Sequence, residues 1–425
     1  EKRKDAQLAR EFNFSLPKEL TLEQNVALAR EFVQNEFVSR GMVADLCVHN
    51  DLTPEGEFQP HAHIMLTMRE VKLDGTPDNP FGQKVREWND KALLMSWRES
   101  WAEHANRALA IHGHDMQIDH RTLKEQGIDL EPQYKIGAAV VSDRKARFED
   151  HQRIAQENGA KILKDPILAL DALTKQQSTF TYADVARFIH RHTDTPAQFQ
   201  EVYAKVMASP ELHLLGRDDK NVERYTTKTL YAIENKMVDQ AVKLNQQQGH
   251  AVITKNQDEA LSKRGLKDEQ AAAFTHILGE GNIKCVVGYA GTGKSYMLGA
   301  AREAWEAQGY RVHGAALSGI AAESLEGSSG IMSRTLASRF WYWDRDREKL
   351  TSKDIIVIDE AGMIGSRQMG RLLNEVHEAG AKIVLVGDPE QLQSIEAGAA
   401  FRAISEKVNF VELTEIRRQN EDWQK

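Results

Sequence analysis

Apolar and polar positions in the first part of the chain, from about 10 to 137, follow two different periods. At 12–16 apolar residues alternate with polar ones, which predicts a half-buried strand. Over 21–40 apolar residues recur at helical spacing and predict a helix. Short apolar runs at 42–48 and 61–68 predict two further strands. The pattern therefore indicates a mixed domain of helices and strands.

The middle of the chain, from 138 to about 255, is polar and has mostly helical periodicity. Charged residues on these helices are expected to form solvated faces, and no catalytic constellation stands out among them. The predicted helices are 149–164, 181–192, 196–207 and 226–248.

Strands alternate with helices in the last part of the chain, from 256 to 425. Five apolar runs are separated by helical stretches, an order that is typical of a parallel sheet covered by helices. The runs are 284–288, 311–316, 355–358, 383–386 and 410–413. The sequence thus predicts three domains, 1–137, 138–255 and 256–425, and the last of them is α/β.

A glycine-rich loop stands between the first of these five strands and the helix after it. Its sequence, Gly288-Tyr289-Ala290-Gly291-Thr292-Gly293-Lys294-Ser295, fits the pattern G-x-x-x-x-G-K-S. The glycines let the backbone turn its N–H groups toward phosphate oxygens at a helix N-terminus. In this pattern Lys294 reaches the β- and γ-phosphates and Ser295 binds Mg²⁺. The loop therefore predicts a site for ATP and Mg²⁺.

Two carboxylates follow the predicted strand at 355–358. Asp359 is placed to hold Mg²⁺, and Glu360 to orient or deprotonate the attacking water. Ligands of parallel sheets collect at the carboxyl ends of the strands, so we expect both side chains near the phosphate loop. The alternative is a strand that ends in a solvated acidic turn, and the phosphate loop upstream argues against it.

Three further polar residues are candidates for nucleotide contacts. Gln391 follows the strand at 383–386 and is expected to sense the γ-phosphate. Arg418, preferred over Arg417, is expected to contact the same phosphate. Gln270 lies on the helix before the phosphate loop and is expected to read the adenine edge.

Taken together, these motifs resemble the RecD-like branch of superfamily 1 helicases. The residues that carry the resemblance are 268–270 (D-E-Q), 288–295, 358–361 (I-D-E-A), 387–392 (G-D-P-E-Q-L) and 417–419 (R-R-Q). The resemblance implies a RecA-like first motor lobe that uses ATP to move 5′ to 3′ on single-stranded DNA. The segment 314–322 looks like the DNA-contacting motif of that family. A second motor lobe, which the family needs, is expected beyond Lys425.

Three histidines occupy predicted strand ends near the N-terminus. His61 and His63 are two residues apart on one strand and therefore point to the same face. A neighbouring strand would add His49 as a third imidazole. Three neutral imidazoles form an open site for a divalent ion. The alternative, exposed strand histidines that bind no metal, is equally compatible with this spacing.

The sequence around these histidines resembles the MobA/MobL class of plasmid relaxases. The resemblance is carried by 14–20, 40–45, 60–66, 101–106, 119–121 and 126–128. It implies that 1–137 is the C-terminal part of an α+β relaxase domain with an antiparallel sheet. It also implies that His49, His61 and His63 bind Mn²⁺ or Mg²⁺, with Zn²⁺ as a third candidate. In such enzymes a tyrosine hydroxyl attacks one phosphodiester at the origin of transfer.

The nucleophilic tyrosine is expected to lie outside this chain. In the family it precedes the first strand, whereas the first tyrosine here is Tyr134, which we expect to be structural. We therefore expect a chain truncated at both ends, with little activity by itself. Glu11, on the first strand, is a candidate to orient a ligand imidazole.

Composition and charge bear on whether the chain is a membrane protein, a nucleic-acid-binding protein or a disulfide-rich protein. The 425 residues are 41% hydrophobic and 28% charged, as is ordinary for a globular protein, and no apolar run approaches the roughly 20 residues that span a bilayer. The formal net charge of −8 does not by itself indicate a nucleic-acid partner, although a local basic groove suffices for one. Cys47 and Cys285 are too few for a disulfide framework and are expected to be buried. We expect a bacterial cytoplasmic protein without membrane insertion.

The two resemblances together imply the function of a bifunctional conjugative relaxase–helicase. It combines metal-dependent, strand-specific nicking at an origin of transfer with ATP-driven 5′–3′ unwinding of DNA. The expected partners are DNA, both the origin of transfer and single-stranded DNA, the relaxosome and type IV secretion coupling proteins. Two alternatives stay open: a non-catalytic DNA-binding remnant, and a RecD-like repair helicase whose N-terminal region is structural.

Overall fold

Two units make up the chain when its residues are grouped by their mutual contacts, Glu1–Gln126 and Gly127–Lys425. The computed structural model describes residues 7–52, 58–71, 81–114, 118–133, 141–266, 268–289, 291–388 and 400–415. The domain boundaries at 137 and 255 stay predictions. No helix in the described ranges combines the length and the apolarity that crossing a membrane requires.

An antiparallel three-stranded sheet in the order β1-β3-β2 forms the centre of the first unit. The resemblance to relaxases implied such a sheet, and the implied fold class is confirmed. The elements are β1 (Ala9–Ser15), α1 (Leu22–Glu36), β2 (Ala44–Leu52), β3 (Phe58–Thr67), β4 (Arg69–Val71), β5 (Phe81–Lys84) and α2 (Lys91–Ile111). Short 3₁₀ turns at Val38–Arg40 and Arg86–Asn89 connect them.

One face of this sheet packs on the two helices, and the other carries polar residues. Alternation along β1 sends Phe14 inward, where its ring lies 4.1 Å from that of Trp101 on α2 and 5.4 Å from that of Phe32 on α1. Helix α1 begins at a capping box in which Thr21 and Gln24 exchange hydrogen bonds of 2.8 and 3.2 Å. The core thus fixes which strand residues remain on the opposite, solvent-facing side.

The second unit contains a six-stranded sheet in the order β10-β9-β11-β12-β8-β13. Every pairing in it is parallel, as predicted from the sequence. Its strands are β8 (Ile283–Gly288), β9 (Arg311–Ala316), β10 (Ser333–Thr335), β11 (Asp354–Ile358), β12 (Lys382–Gly387) and β13 (Phe410–Leu413). The helices around them are α9 (Asp268–Leu278), α10 (Lys294–Ala307), α11 (Gly319–Ser329), α12 (Leu336–Trp343), α13 (Ser366–Ala379) and α14 (Ala400–Ser405).

Before this sheet the chain is mostly helical, as predicted. The elements are α3 (Val141–Lys164), α4 (Ile167–Gln176), α5 (Tyr182–Arg191), α6 (Pro196–Met207), α7 (Lys228–Gln246) and α8 (Thr254–Arg264). A hairpin of β6 (Leu212–Arg217) and β7 (Glu223–Thr227), which the sequence did not predict, separates α6 from α7.

Helices cover both faces of the parallel sheet because alternate strand residues point to opposite sides. On β8, Cys285 belongs to one apolar core and Val286 to the other. The core on the Cys285 side includes Met237 and Leu244 of α7. A Cβ atom added at Gly370 of α13 would lie 3.4 Å from Ile233 of α7, so these two helices approach closely. Helix α7 therefore shares the core of the sheet.

A lysine is fully buried at the amino-terminal edge of the sheet. Lys382 is the first residue of β12, and its amine donates a hydrogen bond of 2.6 Å to the carbonyl of Gly279. Burial, with a smaller contribution from the charge of Lys284, lowers the pKa of Lys382 to about 7. Above that pH the folded protein holds a neutral amine, whereas the unfolded chain keeps its proton up to about pH 10.4.

Replacing Lys382 by methionine is expected to flatten the pH dependence of stability. The unfolded wild type binds more protons than the folded one between about pH 7 and 10.4, so its stability rises with pH across that window. From pH 7 to pH 10 the free energy of unfolding of the wild type should rise by on the order of 3 kcal/mol more than that of Lys382→Met. Urea unfolding across this range measures the gain. The exposed Lys407→Met is the control, and a pH dependence that Lys382→Met shares with the wild type contradicts the prediction.

Candidate functional sites

The phosphate loop joins the carboxyl end of β8 to the start of α10. Gly291 and Gly293 adopt φ angles of 87° and 82°, in the left-handed region that favours glycine. A Cβ atom at position 293 would also collide with the side-chain amide of Gln270. Gly288 ends the strand and Lys294 opens the helix, so the loop has the strand–loop–helix context that its motif requires.

Side chains of the loop are held by the loop's own carbonyl groups. The Lys294 amine donates hydrogen bonds of 2.5 Å to the carbonyl of Gly288 and 3.1 Å to that of Tyr289. The hydroxyl of Thr292, which is buried, donates to the same Tyr289 carbonyl at 2.9 Å. Lys294 and the neighbouring Ser295 both line a cavity beside the loop. The positive charge is thus held where the motif places a triphosphate.

Gln270 on α9 contacts the backbone of this loop. It is 5% exposed, and its side-chain nitrogen donates to the carbonyl of Thr292 at 3.1 Å. The adenine contact stays a prediction, since the contact that the structure describes is with the loop backbone. Sequence spacing identified Gln270 as part of the site without indicating this bracing contact.

The two acidic residues follow β11 at the same sheet edge. Burial raises the pKa of Asp359, while the N–H of Glu360 and the charge of Lys294 oppose that rise. Glu360 has a φ of 53°, which is uncommon for a residue with a Cβ atom and often marks a functional turn. A Cβ atom at Gly387, the end of β12, would lie 2.9 Å from the backbone of that turn.

Two predicted nucleotide contacts fall outside the described residues. Gln391 and Arg418 lie in 389–399 and 416–425, and their roles stay predictions. The acidic pair, the lysine and the loop glycines are the parts of the predicted site that the structure brings to one sheet edge.

The three N-terminal histidines converge on the polar face of the antiparallel sheet. His49 on β2 lies directly opposite His61 on β3, and His63 follows two residues later on the same face. The ring centres are 5.3 Å apart for His49 and His61, 5.3 Å for His49 and His63, and 5.1 Å for His61 and His63. Imidazoles that share one ion at about 2.1 Å per nitrogen have ring centres about 5 Å apart.

Neighbouring acceptors orient two of these rings. The Nδ1 atom of His63 lies 3.1 Å from a carboxylate oxygen of Glu11, and that hydrogen bond lowers the pKa of Glu11. The Nδ1 atom of His61 lies 3.0 Å from the carbonyl of Gln59. A donor proton on each Nδ1 leaves the Nε2 lone pair available to an ion. The residue types are therefore those of a divalent-metal site, with the Nε2 atoms as the candidate ligands.

The three imidazole rings are not oriented as the ligands of one metal ion. Within the described part of the chain, no group of three His, Cys, Asp or Glu side chains has the arrangement of a metal site. The planes of the His49 and His61 rings are nearly parallel, at 15°, so their nitrogens would have to turn inward to share an ion. The predicted metal thus stays a proposal.

The prediction that both cysteines are buried is half wrong. Cys285 is fully buried in β8, but Cys47 is exposed. Cys47 pairs with His63 across β2 and β3 and so belongs to the polar face of the sheet. An apolar run in the sequence does not reveal which of its residues point away from the core.

Two family models match separate parts of the chain. A model described as the MobA/MobL family matches residues 1–145, and one described as an AAA domain matches residues 265–425. The first range contains the three histidines and the second contains the phosphate loop with its acidic pair.

Three curated relatives match either the whole chain or one part of it. Conjugal transfer protein TraA of Agrobacterium fabrum is 43% identical over 100% of this chain, which spans 41% of that protein's length. Mobilization protein A of Escherichia coli is 39% identical over 33% of this chain and 21% of its own length. The ATP-dependent RecD2 DNA helicase of Deinococcus radiodurans is 30% identical over 37% of this chain and 22% of its own length.

Proposed function

Because this chain belongs to the TraA-like conjugal transfer proteins, we propose that it acts in plasmid transfer as a relaxase joined to a helicase motor. The observation that supports the proposal is that one chain carries two separate candidate sites. Three imidazoles converge on one sheet face, and a phosphate loop faces an acidic pair on another sheet. Neither a plain helicase nor a plain relaxase needs both.

The relaxase half makes and breaks phosphodiester bonds by transesterification. A tyrosine oxygen attacks the scissile phosphorus, the bond to the 3′ oxygen breaks, and the 5′ phosphate remains on the tyrosine. His49, His61 and His63 would hold Mn²⁺, Mg²⁺ or Zn²⁺, and a metal ion held there would polarise the scissile phosphate. The chain's own residues supply orientation: Glu11 holds the His63 ring, and the Gln59 carbonyl holds that of His61.

The motor half hydrolyses ATP to unwind DNA in the 5′ to 3′ direction. Lys294 neutralises the β- and γ-phosphates, and Ser295 with Asp359 would hold Mg²⁺. Glu360 orients or deprotonates the attacking water. Gln391 and Arg418 are proposed to contact the γ-phosphate.

DNA is the substrate of both halves, as the origin of transfer and as single-stranded DNA. The relaxosome and type IV secretion coupling proteins are the proposed partners, and the bacterial cytoplasm the proposed compartment. Similarity to TraA along the whole chain favours this function over that of a repair helicase. Plasmid nicking by the full-length protein would distinguish it from a non-catalytic remnant.

Metal binding tests the relaxase half directly. His61→Ala is expected to weaken Mn²⁺ binding roughly 100-fold, because ligand loss costs at least as much as the 10–100-fold typical of a lost second-shell partner. Isothermal titration of the purified chain with Mn²⁺ measures the affinity. His112→Ala is the matched control, since His112 is an exposed histidine at the end of α2 in the same unit.

The two variants separate a specific site from general surface binding. Equal loss in both variants, or full Mn²⁺ affinity in His61→Ala, would contradict the proposed metal site. Preserved ATP binding in His61→Ala would confirm that the motor lobe is intact while the metal site is lost.

A further inference from the structure

A short turn joins the acidic residues after β11 to the start of α13. Glu360 has a φ of 53°, and the 3₁₀ turn Ala361–Met363 comes directly after it. The N–H of Met363 donates a hydrogen bond of 2.9 Å to the carbonyl of Glu360. Helix α13 then begins at Ser366. The position of Ser366 is therefore transmitted to Glu360 through one short, internally bonded segment.

The left-handed conformation of Glu360 needs support from its surroundings. Such a conformation is unfavourable for a residue with a Cβ atom and persists where the neighbouring structure holds it. Before Glu360, that support comes from β11, whose Ile356 and Ile358 are fully buried in the core of the sheet. After Glu360, Ala361 of the turn and Met369 of α13 belong to the same core. Contacts that fix the start of α13 therefore also stabilise the conformation of Glu360.

Glu234 of α7 contacts the first residue of α13. The hydroxyl of Ser366, which is 1% exposed, donates a hydrogen bond of 2.8 Å to the Glu234 carboxylate. Gly365, the N-cap of α13, has no side chain that could accept hydrogen bonds from the first N–H groups of the helix. A carboxylate is a favourable group near a helix N-terminus. Glu234 thus holds α13 at the end that adjoins the acidic turn.

Helix α4 supplies a second contact to the same end of α13. Arg367 donates a hydrogen bond of 3.3 Å to the hydroxyl of Thr174 and lies 3.7 Å from the carboxylate of Asp171. Both α4 and α7 precede the parallel sheet in the chain. The start of α13 is therefore fixed by the helices that lie before the sheet in sequence, and not by the sheet alone.

We propose that Glu234 is a positioning residue for ATP hydrolysis, which holds Glu360 in place through Ser366 and the start of α13. The inference rests on the proposed function of Glu360, which is to orient or deprotonate the attacking water. Displacing a group that acts on the reacting atoms by about 1 Å can lower a rate about 100-fold. The phosphate loop lies on β8 and α10, so loss of Glu234 affects turnover more than ATP binding.

Steady-state ATP hydrolysis by the full-length protein, in the presence of single-stranded DNA, tests this role. Glu234→Ala is expected to lower kcat by on the order of 10-fold and to leave the KM for ATP within about twofold of the wild type. Glu234→Gln keeps an oxygen that accepts the hydrogen bond from Ser366 and should retain most of kcat. Ser366→Ala should lower kcat as Glu234→Ala does. The double variant should fall no further, because both substitutions remove the same contact.

Two further variants of α7 control for a general loosening of the helix pair. Asp239→Ala removes an exposed carboxylate from the same helix. Gln240→Ala removes a hydrogen bond of 2.9 Å to Asn374, farther along α13. Both should keep the kcat of the wild type. An equal loss of kcat in Gln240→Ala overturns the role of Glu234, because any weakening of the contact between α7 and α13 would then suffice.

The remaining outcomes separate the positioning role from the function of the acidic turn. Wild-type kcat in Glu234→Ala overturns the positioning role alone, as does wild-type kcat in Ser366→Ala if thermal unfolding shows that Glu234→Ala does not fold. Additive losses in the double variant, or a loss that appears in KM instead of kcat, have the same meaning. If Glu360→Gln hydrolyses ATP as fast as the wild type, the proposed function of Glu360 fails, and the inference fails with it.

Discussion

Lys294→Ala is expected to abolish ATP binding, with a loss of roughly 100-fold or more in affinity. The amine supplies the positive charge that the triphosphate meets on the loop, and no smaller side chain can replace it. The same amine bonds to the carbonyls of Gly288 and Tyr289, so its removal also loosens the loop. Equilibrium titration with a fluorescent ATP analogue and Mg²⁺ measures the change.

Two measurements keep this result specific. Lys255→Ala replaces a lysine that is 77% exposed on α8, and it should bind the analogue as the wild type does. Thermal unfolding shows whether Lys294→Ala is folded. Undiminished binding by folded Lys294→Ala would refute the phosphate site, and with it the motor half of the proposed function.

The conformation of the phosphate loop could be predicted because its motif is local in sequence. Between Gly288 and Ser295 the motif specifies both the backbone turn and the residues that use it, and Gly291 and Gly293 adopt the left-handed conformations that it implies. The apolar runs of a parallel sheet are equally local, since strands buried on both faces contain few polar residues. Asp359 followed from the same reasoning, because strand ends meet at one edge.

Contacts between distant segments were harder to predict. Gln270 was expected to read a base, yet its amide donates to Thr292, 22 residues away. The β6–β7 hairpin was missed because its residues alternate weakly and lie in a polar region between helices. The contact of Glu234 with Ser366 depends on how α7 packs against α13, and no spacing in the sequence specifies that packing.

The histidine face illustrates an intermediate case. Alternation along a strand placed His61 and His63 on one side, but the position of His49 depended on the register of β2 against β3. Glu11 was a candidate for orienting a ligand, and the pairing of β1 with β3 brings its carboxylate to 3.1 Å from His63. The registers of β1 and β2 against β3 thus determine which of these residues lie close together, and the sequence pattern alone does not specify them.

Asp354→Ala is expected to lower the free energy of unfolding by about 2–3 kcal/mol at pH 7, because it removes a buried carboxylate and the hydrogen bonds that this carboxylate accepts. Asp354 is 1% exposed at the start of β11. Its carboxylate accepts hydrogen bonds of 2.7 and 2.8 Å from Arg311, 2.9 Å from His313 and 2.7 Å from both the backbone N–H and the hydroxyl of Thr351. These bonds pin β9 to β11 at the edge opposite the phosphate loop. Urea unfolding of the two proteins measures the difference.

Acid should remove the same stabilisation from the wild type. Burial alone would raise the pKa of Asp354, but the bonds from Arg311, Thr351 and His313 outweigh it and leave the pKa below its ordinary value. A carboxyl with a lowered folded-state pKa stabilises the fold above its unfolded pKa of about 3.9, and this contribution is lost as the pH falls through the folded-state value. The wild type and Asp354→Ala should therefore converge below about pH 4.

An exposed ion pair, Asp344 with Arg371, serves as the control for this prediction. Asp344 is 57% exposed and contacts Arg371 at 2.5 Å, so Asp344→Ala should cost less than about 1 kcal/mol. Both variants remove a carboxylate from an arginine, but the Asp354 carboxylate is buried and also accepts hydrogen bonds from His313 and Thr351, whereas the Asp344 carboxylate is exposed. If Asp354→Ala cost no more than Asp344→Ala, or if its cost stayed constant from pH 7 to pH 3, the network would not be what holds β9 and β11 together.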